Sequence, residues 1–206
     1  MRRAVFVGLA VLAVAFGMGA AATHDLTISP EPMLKIELPN GHGSGFHVGG
    51  GYVFTAAHVV KGEAKVEVLA SDGQKDTAEV LWVNEKRDVA LLRMEKLRTK
   101  SARLSCVVPT AGDAVEARGN PTNLTFISTW GQVAGKALSV GPWEKVVPVS
   151  MTIVPGQSGG PLYDRAGRVV GMNVGVMVVP LGFGGSLVGI GYSVPGSTLC
   201  ELLAKV

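Results

Sequence analysis

Short apolar runs cut by turn signals set the first limit on what this chain can fold into. Six such runs lie at 33–38, 45–48, 52–55, 65–69, 78–84 and 89–94. Between them stand Pro39-Asn40-Gly41, Gly49-Gly50-Gly51, Ser71-Asp72-Gly73 and Asn84-Glu85-Lys86. Glycine and asparagine tolerate the positive φ that tight turns need, and β-branched residues pack well on a pleated surface. A second set of runs lies at 114–118, 125–133, 145–149, 161–163, 169–174 and 189–194. No long stretch with a 3.6-residue period interrupts either set, so the pattern predicts an all-β sandwich or barrel rather than strand-helix units. Only at the end does the period change. Leu199, Leu202, Leu203 and Val206 sit at helical spacing, which predicts a short closing helix over 197–206 with Ser197 as its N-cap. The 28 glycines among 206 residues, with few charged side chains, fit an ordered and turn-rich chain.

Three local constellations carry chemistry. Residues 156–162 read Gly-Gln-Ser-Gly-Gly-Pro-Leu. Small neighbours leave the backbone around Ser158 bare, so a carbonyl can approach and two N–H groups can point at one spot. Residues 55–60 read Thr-Ala-Ala-His-Val-Val, which puts His58 just past a buried strand. Residues 87–92 read Arg-Asp-Val-Ala-Leu-Leu, and Asp88 stands at the mouth of an apolar strand, a costly place for a carboxylate without a partner. Asp72 and Asp76 flank a hairpin turn instead and read as solvated.

His, Asp and Ser in that chain order match the chymotrypsin arrangement and neither subtilisin nor the α/β-hydrolases. The sequence resembles the trypsin-like serine proteases, and within them the HtrA/Deg group. The resemblance is carried by Gly43-Ser44-Gly45-Phe46, by the stretches around His58, Asp88 and Ser158, by Gly119-Asn120-Pro121 and by Gly167-Arg168-Val169-Val170-Gly171-Met172-Asn173. It runs from about residue 33 to the C-terminus. Gln157 departs from the asparagine that HtrA proteins usually carry there.

The resemblance implies two six-stranded antiparallel β-barrels, one over about 31–98 and one over about 113–195, joined by a linker at about 99–112. It implies an active site between them, with Ser158 as nucleophile, His58 as general base and Asp88 as its orienting partner. By the chymotrypsin template, the N–H groups of Gly156 and Ser158 form the oxyanion hole. The implied substrate pocket has a floor near Thr152 and Ile153 and walls at Val174, Gly175, Val176 and Ile190. No acidic residue lies in those stretches, so the expectation is an aliphatic residue before the cleaved bond. It also implies that Cys106, in the linker, and Cys200, in the terminal helix, lie close enough for one disulfide, two buried free thiols being the alternative. HtrA proteins usually carry PDZ modules after the protease domain, and the residues here match the protease domain alone. The function implied is a serine endopeptidase acting on polypeptides, with self-association left open. The alternative is a catalytically silent HtrA-like binder or chaperone of unfolded polypeptide.

Met1-Arg2-Arg3 followed by apolar residues 4–22 reads as a signal peptide ending at Ala21 or Ala22, or as an uncleaved anchor. Either way residues 23–206 are expected to be exported to the periplasm or secreted, and membrane association is expected only with an uncleaved leader. Arg2 and Arg3 supply two of the net charge of +3, and no cluster of basic and aromatic residues stands elsewhere, which excludes nucleic acid as a partner. His24, His42 and His47 make no metal-ligand spacing with cysteine or glutamate. They read as surface or loop residues, and no metal or other cofactor is expected.

Overall fold

The computed structural model describes residues 31–96, 99–182 and 184–206. The expected leader lies outside the described residues. In the first half β1 (Met33–Leu38), β2 (Gly41–Gly49), β3 (Tyr52–Thr55), β4 (Lys65–Ala70), β5 (Lys75–Asn84) and β6 (Val89–Arg93) pair in the order β1-β2-β3-β6-β5-β4. β1 also pairs with β4, so the barrel closes and has no free edge. Alternation builds its interior. Val66, Val68 and Ala70 of β4 are buried, whereas Lys65 and Glu67 are exposed. Phe46 and Phe54 meet in the core with ring centroids 6.0 Å apart, beside Leu34, Ile36, Leu91 and Leu92. Each such side chain contributes roughly 1.5–3 kcal/mol by leaving water.

The second half departs from the expected six-stranded barrel. It comprises β7 (Ala114–Gly119), β8 (Ile127–Gln132), β9 (Leu138–Val140), β10 (Trp143–Val149), β11 (Pro161–Asp164), β12 (Val169–Leu181) and β13 (Gly184–Pro195). These form one seven-stranded sheet, β8-β7-β11-β12-β13-β10-β9, whose end strands β8 and β9 do not pair. β12 and β13 form a long hairpin within it. They pair from Gly171↔Pro195 out to Leu181↔Gly184 and extend well past the sheet as an arm. Val178 and Leu187 stand exposed on that arm. The curled inner part still encloses a core of Val115, Ala117, Val147, Val149, Ile153 and Leu162.

Helix α1 (Gly196–Leu203) closes the chain and buries Leu199. The expected cap at Ser197 is not made. The helix begins one residue earlier, Pro195 occupies the N-cap, and the Ser197 hydroxyl finds no partner. Instead the Ser197 N–H donates to the Val107 carbonyl, 3.0 Å away, and Cys200 is bonded to Cys106 across 94 residues of sequence. Closing so long a loop restricts the unfolded chain. Replacing both cysteines with serine is therefore expected to cost roughly 4 kcal/mol of stability. Urea unfolding of the double variant reads this directly, and an unchanged midpoint would contradict it.

Among the described residues no helix is long and apolar enough to cross a membrane.

Candidate active site

The turn between β5 and β6 places Asp88. Asn84 Oδ1 accepts the Arg87 N–H at 3.1 Å, and the Asp88 N–H reaches the Glu85 carbonyl at 3.2 Å. Asp88 itself adopts φ +51°, the left-handed region that aspartate tolerates better than most side chains. That twist turns its carboxylate inward, where only 4% of the residue stays exposed.

The carboxylate is held at both oxygens. His58 approaches it with Nδ1, 2.8 Å from Oδ2 and 3.0 Å from Oδ1. The His58 backbone N–H donates to Oδ1 at 3.0 Å, and the Trp143 indole N–H donates to Oδ2 at 2.8 Å. Burial alone would raise the Asp88 pKa. The hydrogen bonds and charge of His58, with the Trp143 N–H, outweigh it and hold the group below its usual value. A carboxylate that only accepts places the hydrogen of a neutral His58 on Nδ1 and leaves Nε2 with its lone pair. The His58 side chain is about half exposed, at 48%, so this basic nitrogen is open to a ligand.

Ser158 stands on the turn that leads into β11. Its carbonyl accepts the Ser44 N–H at 2.8 Å, which ties the turn to the first barrel. Ser44 is a buried hub. Its hydroxyl donates to the Gly156 carbonyl at 2.7 Å and accepts from the N–H and side-chain amide of Asn120, at 3.0 and 2.9 Å. The glycines flanking the serine are sterically required. Gly159 has φ +84°, and a Cβ there would collide with the Ser44 carbonyl oxygen and the Thr55 hydroxyl. Gly156 has φ +94°, with the Asn120 carbonyl and His42 against it. Among the described residues the N–H groups of Gly156 and Ser158 donate to no other protein group. The intervening Gln157 N–H turns away to the Val154 carbonyl at 3.1 Å, and the Gln157 side-chain oxygen accepts the Val154 N–H at 3.0 Å. Gln157 thus braces the turn.

A cleft of about 520 Å³ brings His58, Gly156 and Ser158 together with Ile153, Gly175 and Val176. Of the other pocket residues read from the sequence, Thr152 and Ile190 do not line it. Val174 lines an adjoining cavity of about 350 Å³ with Trp143 and His58. The Ser158 hydroxyl donates to the Val174 carbonyl at 3.4 Å and makes no hydrogen bond to His58. Among the described residues no cluster of histidine, cysteine and acidic side chains could hold a metal ion.

Two histidines read as surface or loop residues lie on strand β2, and one of them is buried. His47 is buried, with Nδ1 3.0 Å from the Thr99 carbonyl and Nε2 accepting the Gly51 N–H at 3.3 Å. His42 lines the cleft and donates through Nε2 to the Asn120 carbonyl at 2.8 Å. Trp143, whose N–H reaches Asp88, carries no signal in the sequence. It lies on β10, remote in sequence from every motif, and nothing local to Gly141-Pro142-Trp143 marks it.

A closed barrel packed on a curled sheet, with a paired His-Asp dyad facing a serine turn across the cleft, defines the chymotrypsin-like class of architecture. Residues 43–172 match the trypsin-like peptidase domain family. The chain belongs to that family, as an HtrA-type protease domain. It is 31% identical over 174 residues to Protease Do-like 1, chloroplastic, of Arabidopsis thaliana, covering 80% of this chain and 39% of that protein. It is 36% identical over 169 residues to a probable periplasmic serine endoprotease, DegP-like, of Chlamydia trachomatis, covering 79% of this chain and 32% of that protein. The chain thus spans less than half the length of these curated relatives. Among solved structures it is similar to the HtrA-type protease AlgW with a tripeptide (TM-score 0.75, 25% identity, 85% of this chain and 60% of that one). It is also similar to the Rv3671c protease in its inactive form (TM-score 0.73, 25% identity, 87% of this chain and 90% of that one).

Proposed function

We propose that this protein is an exported serine endopeptidase that hydrolyses peptide bonds of polypeptides through an acyl-enzyme. The observation that carries this reading is the His58–Asp88 pair, with its basic nitrogen open on the cleft that also holds Ser158. In the reaction the Ser158 hydroxyl leaves the Val174 carbonyl and turns to His58. It then attacks the scissile carbonyl while His58 takes its proton. Asp88 holds the imidazole in the correct tautomer and stabilises the imidazolium. The free N–H groups of Gly156 and Ser158 receive the oxyanion, each donor of this kind being worth about 10²–10³ in turnover. His58 returns the proton to the leaving amine, and water then repeats the sequence on the ester. No cofactor is required by this chemistry.

Ile153, Gly175 and Val176 give the cleft an apolar wall next to Ser158, without an acidic side chain among them. This supports a small or medium aliphatic residue before the cleaved bond. A peptide library varied at that position, cleaved by wild type and by the Ser158→Ala control, tests both claims. The expected result is Ser158-dependent cleavage after aliphatic residues, and a preference for arginine or lysine would overturn the pocket assignment. Export is supported by Arg2-Arg3 and the apolar 4–22 stretch, and by a relative named as periplasmic. An anchor formed by 4–22 is the variant of this reading in which the leader is retained.

One observation favours the silent-binder reading, namely the Ser158 hydroxyl directed at the Val174 carbonyl rather than at His58. Reorientation of a single serine side chain is a small step. Catalytic hydrogen bonds are often long or misaligned before substrate binds.

A further inference from the structure

Trp143 is attached to a different half of the molecule from the carboxylate it contacts. Asp88 enters β6 of the barrel, whereas Trp143 begins β10 of the seven-stranded sheet, the sheet that also carries the Ser158 turn. Its indole N–H reaches Asp88 Oδ2 at 2.8 Å, the same oxygen that His58 Nδ1 approaches at 2.8 Å. An indole N–H can only donate and an ionised carboxylate can only accept, so the polarity of this contact is unambiguous.

Three further features hold the ring there. Gly175 of β12 faces it, and any Cβ at that position would run into the Trp143 six-membered ring. Tyr192 of β13 packs against it, with centroids 5.6 Å apart. The next residue latches onto the loop before Asp88, where the Glu144 N–H donates to the Lys86 carbonyl at 3.2 Å and Arg87 Nε pairs with Glu144 Oε2 at 3.3 Å. The indole is therefore pre-oriented by packing and backbone contacts before it meets the carboxylate. Rotation of the Asp88 carboxylate would break its bonds to Trp143, to the His58 backbone and to the His58 ring together.

We propose that Trp143 is a positioning residue for the catalytic dyad. Its N–H pins the Asp88 carboxylate from the nucleophile's own sheet, so that the rotation and tautomer of His58 are set in register with Ser158. The inference rests on the serine protease reading above. Trp143 also lines the adjoining cavity beside His58, so a role as a plain substrate-contacting wall is the competing explanation, and the two separate in kinetics. A wall changes KM. A positioning residue changes kcat, and it alters the His58–Asp88 hydrogen bond in the absence of substrate.

The test compares wild type with Trp143→Phe, and with the variant carrying β-(3-benzothienyl)alanine at 143. The latter keeps the ring shape but has sulfur in place of the N–H. Losing one charge-assisted hydrogen bond at this oxygen is expected to lower kcat about tenfold, with KM changed less than about twofold. The low-field NMR resonance of the His58 Nδ1 proton should move in both variants. If Trp143→Phe fails to fold, the benzothienyl variant preserves the packing against Gly175 and Tyr192 and gives the same readouts. In an Asp88→Asn background the Trp143 change should cost less than about twofold, because members of one unit are non-additive. The proposal is overturned if kcat stays within twofold and the imidazole proton does not move, or if only KM changes. A wild type without Ser158-dependent turnover would defeat the protease reading, and the NMR comparison would still decide whether Trp143 orients the dyad.

Discussion

Ser158→Ala is expected to lower kcat on a peptide or unfolded protein substrate by on the order of 10⁶-fold, the loss of covalent catalysis as a whole. Each remaining part stays in place. Ser44 still donates its backbone N–H to the carbonyl of residue 158, and that contact involves no side chain of the serine. His58 still meets Asp88, and the cleft keeps its shape. Folding should therefore be unaffected, and the melting temperature should match wild type. Removing His58 in addition should cost little more, since neither group works without the other. The measurement is single-substrate kinetics on both variants alongside thermal unfolding. A Ser158→Ala protein within tenfold of wild type would mean that another group performs the chemistry.

Asp88→Asn is the second large effect, about 10⁴-fold in kcat. The reason lies in the count of donors around the carboxylate. Oδ1 receives the His58 backbone N–H, Oδ2 receives the Trp143 N–H, and His58 Nδ1 lies within 3.0 Å of both. All of these neighbours are donors. An asparagine has a single acceptor oxygen, so its NH₂ must face one of them. Turned toward Nδ1, the amide forces the imidazole hydrogen onto Nε2, and the base is lost. Turned toward the backbone or the indole, it sets donor against donor in a buried place. The pH dependence of stability follows from the same carboxylate. Its folded pKa is depressed, so its contribution is present above the unfolded value of 3.8 and disappears as pH falls through the folded one. The Asn variant should lack that acid-side loss while showing the drop in kcat at neutral pH. Activity within about tenfold of wild type would show that Asp88 does not orient the base.

Much of the first barrel is legible in the sequence. β1 and β3 start and end where the apolar runs do, because turn glycines and a two-residue alternation are both local properties. The order His58, Asp88, Ser158 was legible for the same reason, each lying beside its own strand. The rest depended on pairing partners far away in sequence. The runs at 169–174 and 189–194 read as two short strands, yet they extend as a paired arm out to Leu181↔Gly184, since the apolar stretch between them has no solvent-facing polar rhythm to mark an edge. β9 is three residues long, so its Leu-Ser-Val alternation is too short to mark a strand. The second sheet stays open between β8 and β9, with only the isolated Val133–Val149 bridge tying the chain after β8 to β10, and local pattern cannot report how the ends of a sheet meet. His47 reads as a surface or loop residue because its buried place depends on the Thr99 carbonyl, 52 positions away in the chain that follows the barrel. Trp143 contacts Asp88 across 55 positions, a distance over which no sequence motif speaks.

The most direct measurement of the central claim is intact-mass and peptide-mapping analysis after treatment with a fluorophosphonate probe. Such a probe is attacked by a serine only when a base withdraws the proton and a hole accepts the developing oxyanion. The account predicts one adduct per chain on wild type, mapped to Ser158, a sharply slowed adduct on Asp88→Asn, and none on Ser158→Ala. Equal labelling of wild type and Ser158→Ala, or no labelling of folded wild type, would contradict it.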